Sequence, residues 1–172
     1  MPHPEAAEER TMKGPFKAVK VTDKIYWVGA IHWGLRDFHG YATSRGTTFN
    51  AYLVLADKVT LIDTVKTEFK GEMLSRIASI LDPSRIDCIV SNHSEMDHSG
   101  CLPELVDLVG PQEVFASVMG VKTLREHFPN FAGPIEAVKD GQTVSLGNMS
   151  LLFYETRMLH WPESMVAYVP EE

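Results

Sequence analysis

Cysteine is nearly missing: Cys88 and Cys101 are the only two thiols in 172 residues. Two cysteines do not make a disulfide framework, so a reducing cytoplasm is the expected setting. No apolar run approaches the roughly 20 residues that a membrane span needs, and the N-terminus lacks the basic and then apolar layout of a secretion signal. Positive charge is also short. Lys and Arg number 16 against 23 Asp and Glu, a net charge of -7. Without a basic stripe, nucleic acid is not an expected partner. There is no internal repeat and no linker long enough to divide the chain. What is present is a globular composition: 44% hydrophobic residues, too apolar for a disordered chain, in a length that supports one domain with a sizeable core.

Residues 1–15, "MPHPEAAEERTMKGP", are polar and proline-containing and are expected to form a loose tail, with His3 in it, ahead of one domain over residues 16–172. "KAVKVTDKIYWVGA" reads as two short strands around Asp23-Lys24. "TTFNAYLVLADKVTLIDT" reads as a second hairpin around Ala56-Asp57-Lys58. "TEFKGEMLSRIASILDP" has Phe69, Met73, Ile77 and Ile80 at helical spacing. It should stop at Asp82-Pro83, because the residue before proline avoids helical dihedrals. "RIDCIVSN" is a continuous apolar run, the mark of a strand buried on both faces, which puts Cys88 in the core. "CLPELVDLVG" predicts a helix with Pro103 in its first turn. Cys101 opens it, a position that can lower a thiol pKa. "EVFAS" is a strand, and "SVMGVKTLREHF" a helix with Val118, Val121, Leu124 and Phe128 on one face and His127 at the surface. "QTVSLGNMSLLFYET" is a hairpin around Gly147-Asn148, and "SMVAYVP" a last strand. Alternating strands and helices after two hairpins predict a mixed α/β sheet with helices packed on it.

The chemistry concentrates in "SNHSEMDHSG". His93, Glu95 and Asp97 stand at i, i+2 and i+4 just after the buried strand. If the backbone stays extended there, alternate side chains point the same way, and His98 adds a fourth donor. Two carboxylates this close repel one another unless a cation lies between them. Two histidines and two carboxylates are good ligands for Fe, Mn or Zn. A solvated polar loop is the bland alternative. Four donors at the end of a buried strand favour the metal.

The motif H-x-[HE]-x-D-H resembles the signature of the metallo-β-lactamase superfamily, whose members are αββα sandwiches with a dinuclear site at one end of the sheets. Hydrolases of that superfamily usually carry histidine at the third position. Glu95 there resembles the flavodiiron proteins, and an added carboxylate suits hard, oxidisable iron. "WVGAIHWGLRDFHGY", "GTTFNAYLV", "LIDTVK" and "FYETRMLHWPESM" resemble flavodiiron segments in the same order, from Phe16 to Glu172. The likeness is to the rubredoxin:oxygen oxidoreductase type.

The resemblance implies that His93, Glu95 and the later His160 bind one iron and that Asp97 and His98 bind the other. It places His39 near the diiron pocket and gives His32 no role. Asp63 is either a brace for the metal loop or a strand-end turn residue, Asn50 is equally well read as structural, and Trp161 either walls the pocket or simply packs. By resemblance the activity is reduction of O2 to water or of NO to N2O. FMN on a separate or missing domain would re-reduce the irons, with an electron donor such as rubredoxin. The family's bridging aspartate and last histidine have no counterpart after His160, and Glu163, Glu171 and Glu172 match nothing in its pattern. The chain therefore looks like the first half of the sandwich plus the start of the second. Weak or incomplete metal binding is expected, one face of the main sheet should be left uncovered, and a homo-oligomer or a second polypeptide should complete the domain. The alternatives are a zinc metallo-hydrolase of the same superfamily and an inactive fragment that acts only in assembly.

Overall fold

The computed structural model describes residues 14–172. Most of the expected N-terminal tail, through residue 13, therefore lies outside the described residues. The main sheet has seven strands, which follow one another across it in chain order. The first hairpin forms as expected, with β1 (Val19–Lys20) antiparallel to β2 (Ile25–Trp27). The next pair is β3 (Tyr52–Val54) and β4 (Thr60–Ile62), joined around Asp57. From β4 onward the sheet is parallel, through β5 (Cys88–Ser91), β6 (Glu113–Ser117) and β7 (Ile135–Val138). Each parallel step needs a crossover, and helices supply them. α1 (Lys70–Ala78) links β4 to β5, the single turn α2 (Met96–Ser99) and α3 (Leu102–Val109) link β5 to β6, and α4 (Val118–His127) links β6 to β7.

Side-chain alternation along these strands divides the core in two. Leu53, Leu61, Ile89, Val114 and Ala116 face the helices, where Met73, Ile77, Leu102, Leu105 and Leu124 close over them. Val54, Ile62, Cys88, Val90 and Phe115 face the other way. They meet a second, antiparallel sheet made of β8 (Thr143–Ser145), β9 (Ser150–Glu155) and β10 (Met165–Tyr168). Leu146, Met149, Leu151, Phe153 and Met165 fill that interface. Helices, a large sheet and a small sheet thus make three layers of an αββα sandwich.

The expectation that one face of the main sheet would stand uncovered is corrected here, because the second sheet packs on it. The apolar surface left open is one layer further out. It is the outward face of the second sheet, where Tyr154, Val166 and Tyr168 are 43%, 46% and 53% exposed.

Local expectations also shift. "TTFNAYLV" is not one strand. Thr47–Phe49 pairs with Ala30–His32 in a separate two-stranded ribbon, and the main-sheet strand begins at Tyr52. The backbone between the two passes tightly against Gly29, where any Cβ would run into the Phe49 carbonyl. Asp37–Phe38 and Tyr41–Ala42 form another small ribbon that the sequence did not signal. Ile80 does not share the buried face of Met73 and Ile77. α1 ends at Ala78, so helical spacing no longer carries Ile80 inward. Val118, the first residue of α4, is exposed for a similar reason, and only Leu124 of the expected face is fully buried. Cys88 lies in the core as expected. Cys101 precedes α3, but it is completely buried, and that burial pushes its thiol pKa up rather than down.

Candidate metal centre

The donor loop sits at the carboxyl ends of the parallel strands β4 and β5, the end of an open α/β sheet where ligand sites gather. β5 closes at Ser91, and the residue that follows β4 holds the next stretch of chain. The Asn92 N–H donates to Asp63 Oδ1 (2.7 Å), and the Asp63 N–H donates to the Val90 carbonyl (2.8 Å). Asp63 has a left-handed backbone, φ 57°, which aspartate tolerates better than most residues. It is therefore both the brace and the strand-end turn that the sequence left as alternatives. Beside it, the Thr64 N–H and hydroxyl both donate to the His98 carbonyl, at 2.9 and 2.7 Å.

The extended backbone expected through Asp97 ends at Glu95, which caps α2 with ψ 149°. Ser99 reinforces that cap by donating its hydroxyl to the Ser94 carbonyl at 2.8 Å. His93 and Glu95 keep the alternating register, and Asp97 and His98 leave it on a helical turn.

His93 Nε2 stands 3.1 Å from Glu95 Oε2 and 3.2 Å from His160 Nε2. His160 arrives from the loop between β9 and β10, and its Nε2 is 3.2 Å from the same Glu95 oxygen. The ligand atoms of these three residues all lie within 4.8 Å of one another, the geometry of a group that could hold a metal ion. Asp97 and His98 are neighbours of this group and not members of it. The His98 ring centre is 5.3 Å from that of His93, and His98 Nε2 is 3.6 Å from Asp97 Oδ2. Asp97 Oδ1 is buried with no hydrogen-bond partner, an acceptor that a cation would satisfy. Burial by itself would lower the His98 pKa, but Asp63, 3.5 Å from its Nδ1, outweighs it together with Asp97 and Glu95, and the net direction is up.

The remaining candidates sort by distance from this group. His39 belongs to its wall: His39 Nε2 is 3.5 Å from Glu95 Oε1, and its ring centre is 5.6 Å from that of His160. Trp161 sets an edge against His93 with ring centres 5.2 Å apart, so it walls the pocket as well as packing. His32 packs on Phe69 with ring centres 5.1 Å apart, which fits its having no assigned role. Asn50 is structural and accepts the Trp27 indole N–H at 3.0 Å. His127 is exposed as expected, yet its Nδ1–H donates to the Ser94 carbonyl at 3.1 Å. Glu163, which matched nothing in the family pattern, is the residue that sequence reasoning missed. It is 3% exposed, and its Oε1 lies 2.7 Å from His93 Nδ1 and accepts the Ser94 N–H at 3.0 Å. The available signal was a carboxylate three residues beyond a candidate ligand.

This fold and site define a metallo-β-lactamase-like protein with a histidine–carboxylate group that could hold a metal ion. The family whose sequence model matches residues 47–172 is the ODP family beta lactamase, and the chain belongs to it. It is 51% identical to the rubredoxin-oxygen oxidoreductase of Megalodesulfovibrio gigas over 91% of its length and 39% of that protein's. It is 46% identical to the nitric oxide reductase of Moorella thermoacetica over 90% of its length and 39% of that protein's. Its backbone matches the flavodiiron protein of Giardia intestinalis with a TM-score of 0.85 and 32% identity, over 90% of this chain and 38% of that one. The chain thus spans about two-fifths of the length of these relatives, roughly 39%. What it resembles is the diiron domain of a flavodiiron oxidoreductase. Among the described residues, no helix is long and apolar enough to cross a membrane.

Proposed function

We propose that the chain is the incomplete, iron-binding part of a flavodiiron-type oxidoreductase that reduces O2 to water, NO to N2O, or both. The observation that carries this reading is the triangle of His93 Nε2, Glu95 Oε2 and His160 Nε2, with a carboxylate among its donors. In this reading those three residues hold one iron, and Asp97 and His98 begin the site of a second. Residues 16–172 are one domain that further residues complete, and FMN and an electron donor such as rubredoxin belong to other domains or chains.

Bound iron would supply the site that binds the gas and the electrons that reduce it. The chain's own residues set the conditions. Glu95 adds a carboxylate oxygen to the imidazoles of His93 and His160, which favours a hard cation over zinc. His39 stands 3.5 Å from the Glu95 oxygen that points away from His93 and closes the pocket on that side. Trp161 covers one side of the His93 ring and keeps bulk water from it. Asp63 fixes the loop, so its donors are arranged before any ion arrives.

Metal analysis of the chain after anaerobic purification tests the proposal. Iron retained in preference to zinc supports it. Tightly held zinc together with hydrolase activity would favour the metallo-hydrolase alternative. The open outward face of the second sheet favours a further reading, in which the chain acts only by assembling with its own copies or another polypeptide. A chain that holds no metal at all would support that one.

A further inference from the structure

We propose that Glu163 is the positioning residue for His93: it fixes the imidazole as the Nδ1–H tautomer and so leaves the Nε2 lone pair facing Glu95 and His160. The inference rests on the reading of His93 as a ligand, but its basis is the geometry behind the ring. Glu163 Oε1 lies 2.7 Å from His93 Nδ1, a short, well-placed hydrogen bond. The same oxygen accepts the Ser94 N–H at 3.0 Å. An oxygen that already accepts from one amide presents an acceptor to Nδ1 as well, so Nδ1 carries the hydrogen. A neutral imidazole has one N–H, and Nε2 is then the bare nitrogen. The competing tautomer would donate from Nε2 to Glu95 Oε2, but that contact is 3.1 Å against 2.7 Å at Nδ1, and the Ser164 hydroxyl, 3.5 Å from Nδ1, is too far to set the tautomer.

A purely structural role accounts for this residue poorly. Burying a carboxylate is costly unless its bonds repay it, and Glu163 is 3% exposed with its second oxygen unpartnered. All of its hydrogen bonding is spent through Oε1 on His93 and on the amide beside it. The backbone is pinned to match: Ser117 donates its hydroxyl to the Glu163 carbonyl at 2.7 Å, and the Met165 N–H donates to the Asn92 carbonyl at 3.0 Å. His160, Trp161 and Glu163 therefore act as one clamp. A single loop brings a candidate ligand to the front of the His93 ring, an aromatic edge to its side and an acceptor to its back. Carboxylates behind metal-binding histidines commonly fix ring orientation and raise ligand basicity, and losing them typically weakens metal binding about 10–100-fold.

The test begins with the metal-free chain, which separates this inference from the reading of function. In histidine-15N-labelled protein at neutral pH, one-bond and long-range 1H–15N correlations should show His93 as the Nδ1–H tautomer. Glu163→Ala should shift it toward the Nε2–H form, and Glu163→Gln, which keeps an acceptor oxygen, should restore the Nδ1–H form. Cobalt(II) titrations should then show about 10–100-fold weaker binding for Glu163→Ala and a smaller loss for Glu163→Gln. A His93 that is the Nε2–H tautomer in the wild-type chain would overturn the proposal without any variant having to fold. So would a folded Glu163→Ala chain whose His93 tautomer is unchanged. If the wild-type chain binds no cobalt while the tautomer results hold, the reading of function fails and the positioning of His93 by Glu163 stands.

Discussion

Asp63 is the residue on which the donor loop hangs. Replacing it with alanine strands the Asn92 amide and leaves a left-handed backbone without the side chain that tolerates it. The stranded amide alone costs about 1–3 kcal/mol, and the backbone strain adds about 1–2 kcal/mol. Asp63→Asn keeps an acceptor and the tolerance, so it should cost less than about 1 kcal/mol. Urea midpoints at unchanged m separate the two outcomes, and equal losses would show that Asp63 is not the brace. The thiols offer a second prediction. Cys88 and Cys101 are both buried, and burial pushes both thiol pKa values up. Iodoacetamide at mildly alkaline pH should leave the native chain unmodified and label both thiols in urea. Since the unfolded thiols lose their protons first, stability should also fall as pH rises past the ordinary thiol value of about 8.5. Rapid labelling of native Cys101 would restore the activated thiol that its place before a helix suggested. Of the site itself, His93, Glu95 and His160 were legible in the sequence, because two follow strand spacing and the third lies in a segment resembling a known family. Asp97 and His98 were legible as neighbours but not in their register, since spacing does not reveal that a helical turn starts at Met96. Glu163 was legible only as a carboxylate three residues beyond a candidate ligand, because its burial and its contact with His93 across 70 residues leave no local pattern.

Two glycines test how the elements are built. Gly110 closes α3 at φ 62°, its N–H donating to the Val106 carbonyl at 2.9 Å. No atom would obstruct a Cβ there, so Gly110→Ala isolates the cost of the left-handed backbone, about 1–2 kcal/mol. Gly71 lies in the first turn of α1 with open space around it and a helical backbone, so Gly71→Ala should stabilise by about 0.4–1 kcal/mol. Thermal melts of the two variants should move in opposite directions, and a matching shift would mean that one of these two helix ends is built differently. The sequence revealed β3 to β6 because alternation and apolar runs are strong there, and both hairpin turns carry recognisable residues. It did not reveal β7, whose Glu136 and Ala137 are exposed and whose strand is defined by pairing with β6 rather than by its own pattern. The small ribbons between residues 30 and 49 escaped for the same reason.

At the scale of the whole molecule, the second sheet sets the expectation for behaviour in solution. Its β10 lies at the sheet edge, and its outward face presents Leu152, Tyr154, Val166 and Tyr168. Between β10 and the β2–β4 side of the main sheet runs a groove of about 440 Å3, lined by Ile25, Tyr52, Ile62 and Tyr168 and reaching Asn92 and His98. An unpaired edge beside an apolar face recruits further strands. Sedimentation at micromolar concentration should therefore show self-association that weakens when Val166 and Tyr168 are replaced by lysine and threonine, whereas a monodisperse monomer would show that the open face is inert. Sequence reasoning foresaw the exposed face but put it on the wrong sheet, because it could not tell how far the three strands of the second sheet extend over the first. The metal group tests the reading of the molecule most directly. Anaerobic titration of the metal-free chain with ferrous iron, followed by dialysis, should leave one equivalent, lost on His160→Ala and weakened in Glu95→Ala. Two equivalents retained by the isolated chain, or one retained unchanged after His160→Ala, would contradict the assignment of His93, Glu95 and His160 as its iron site.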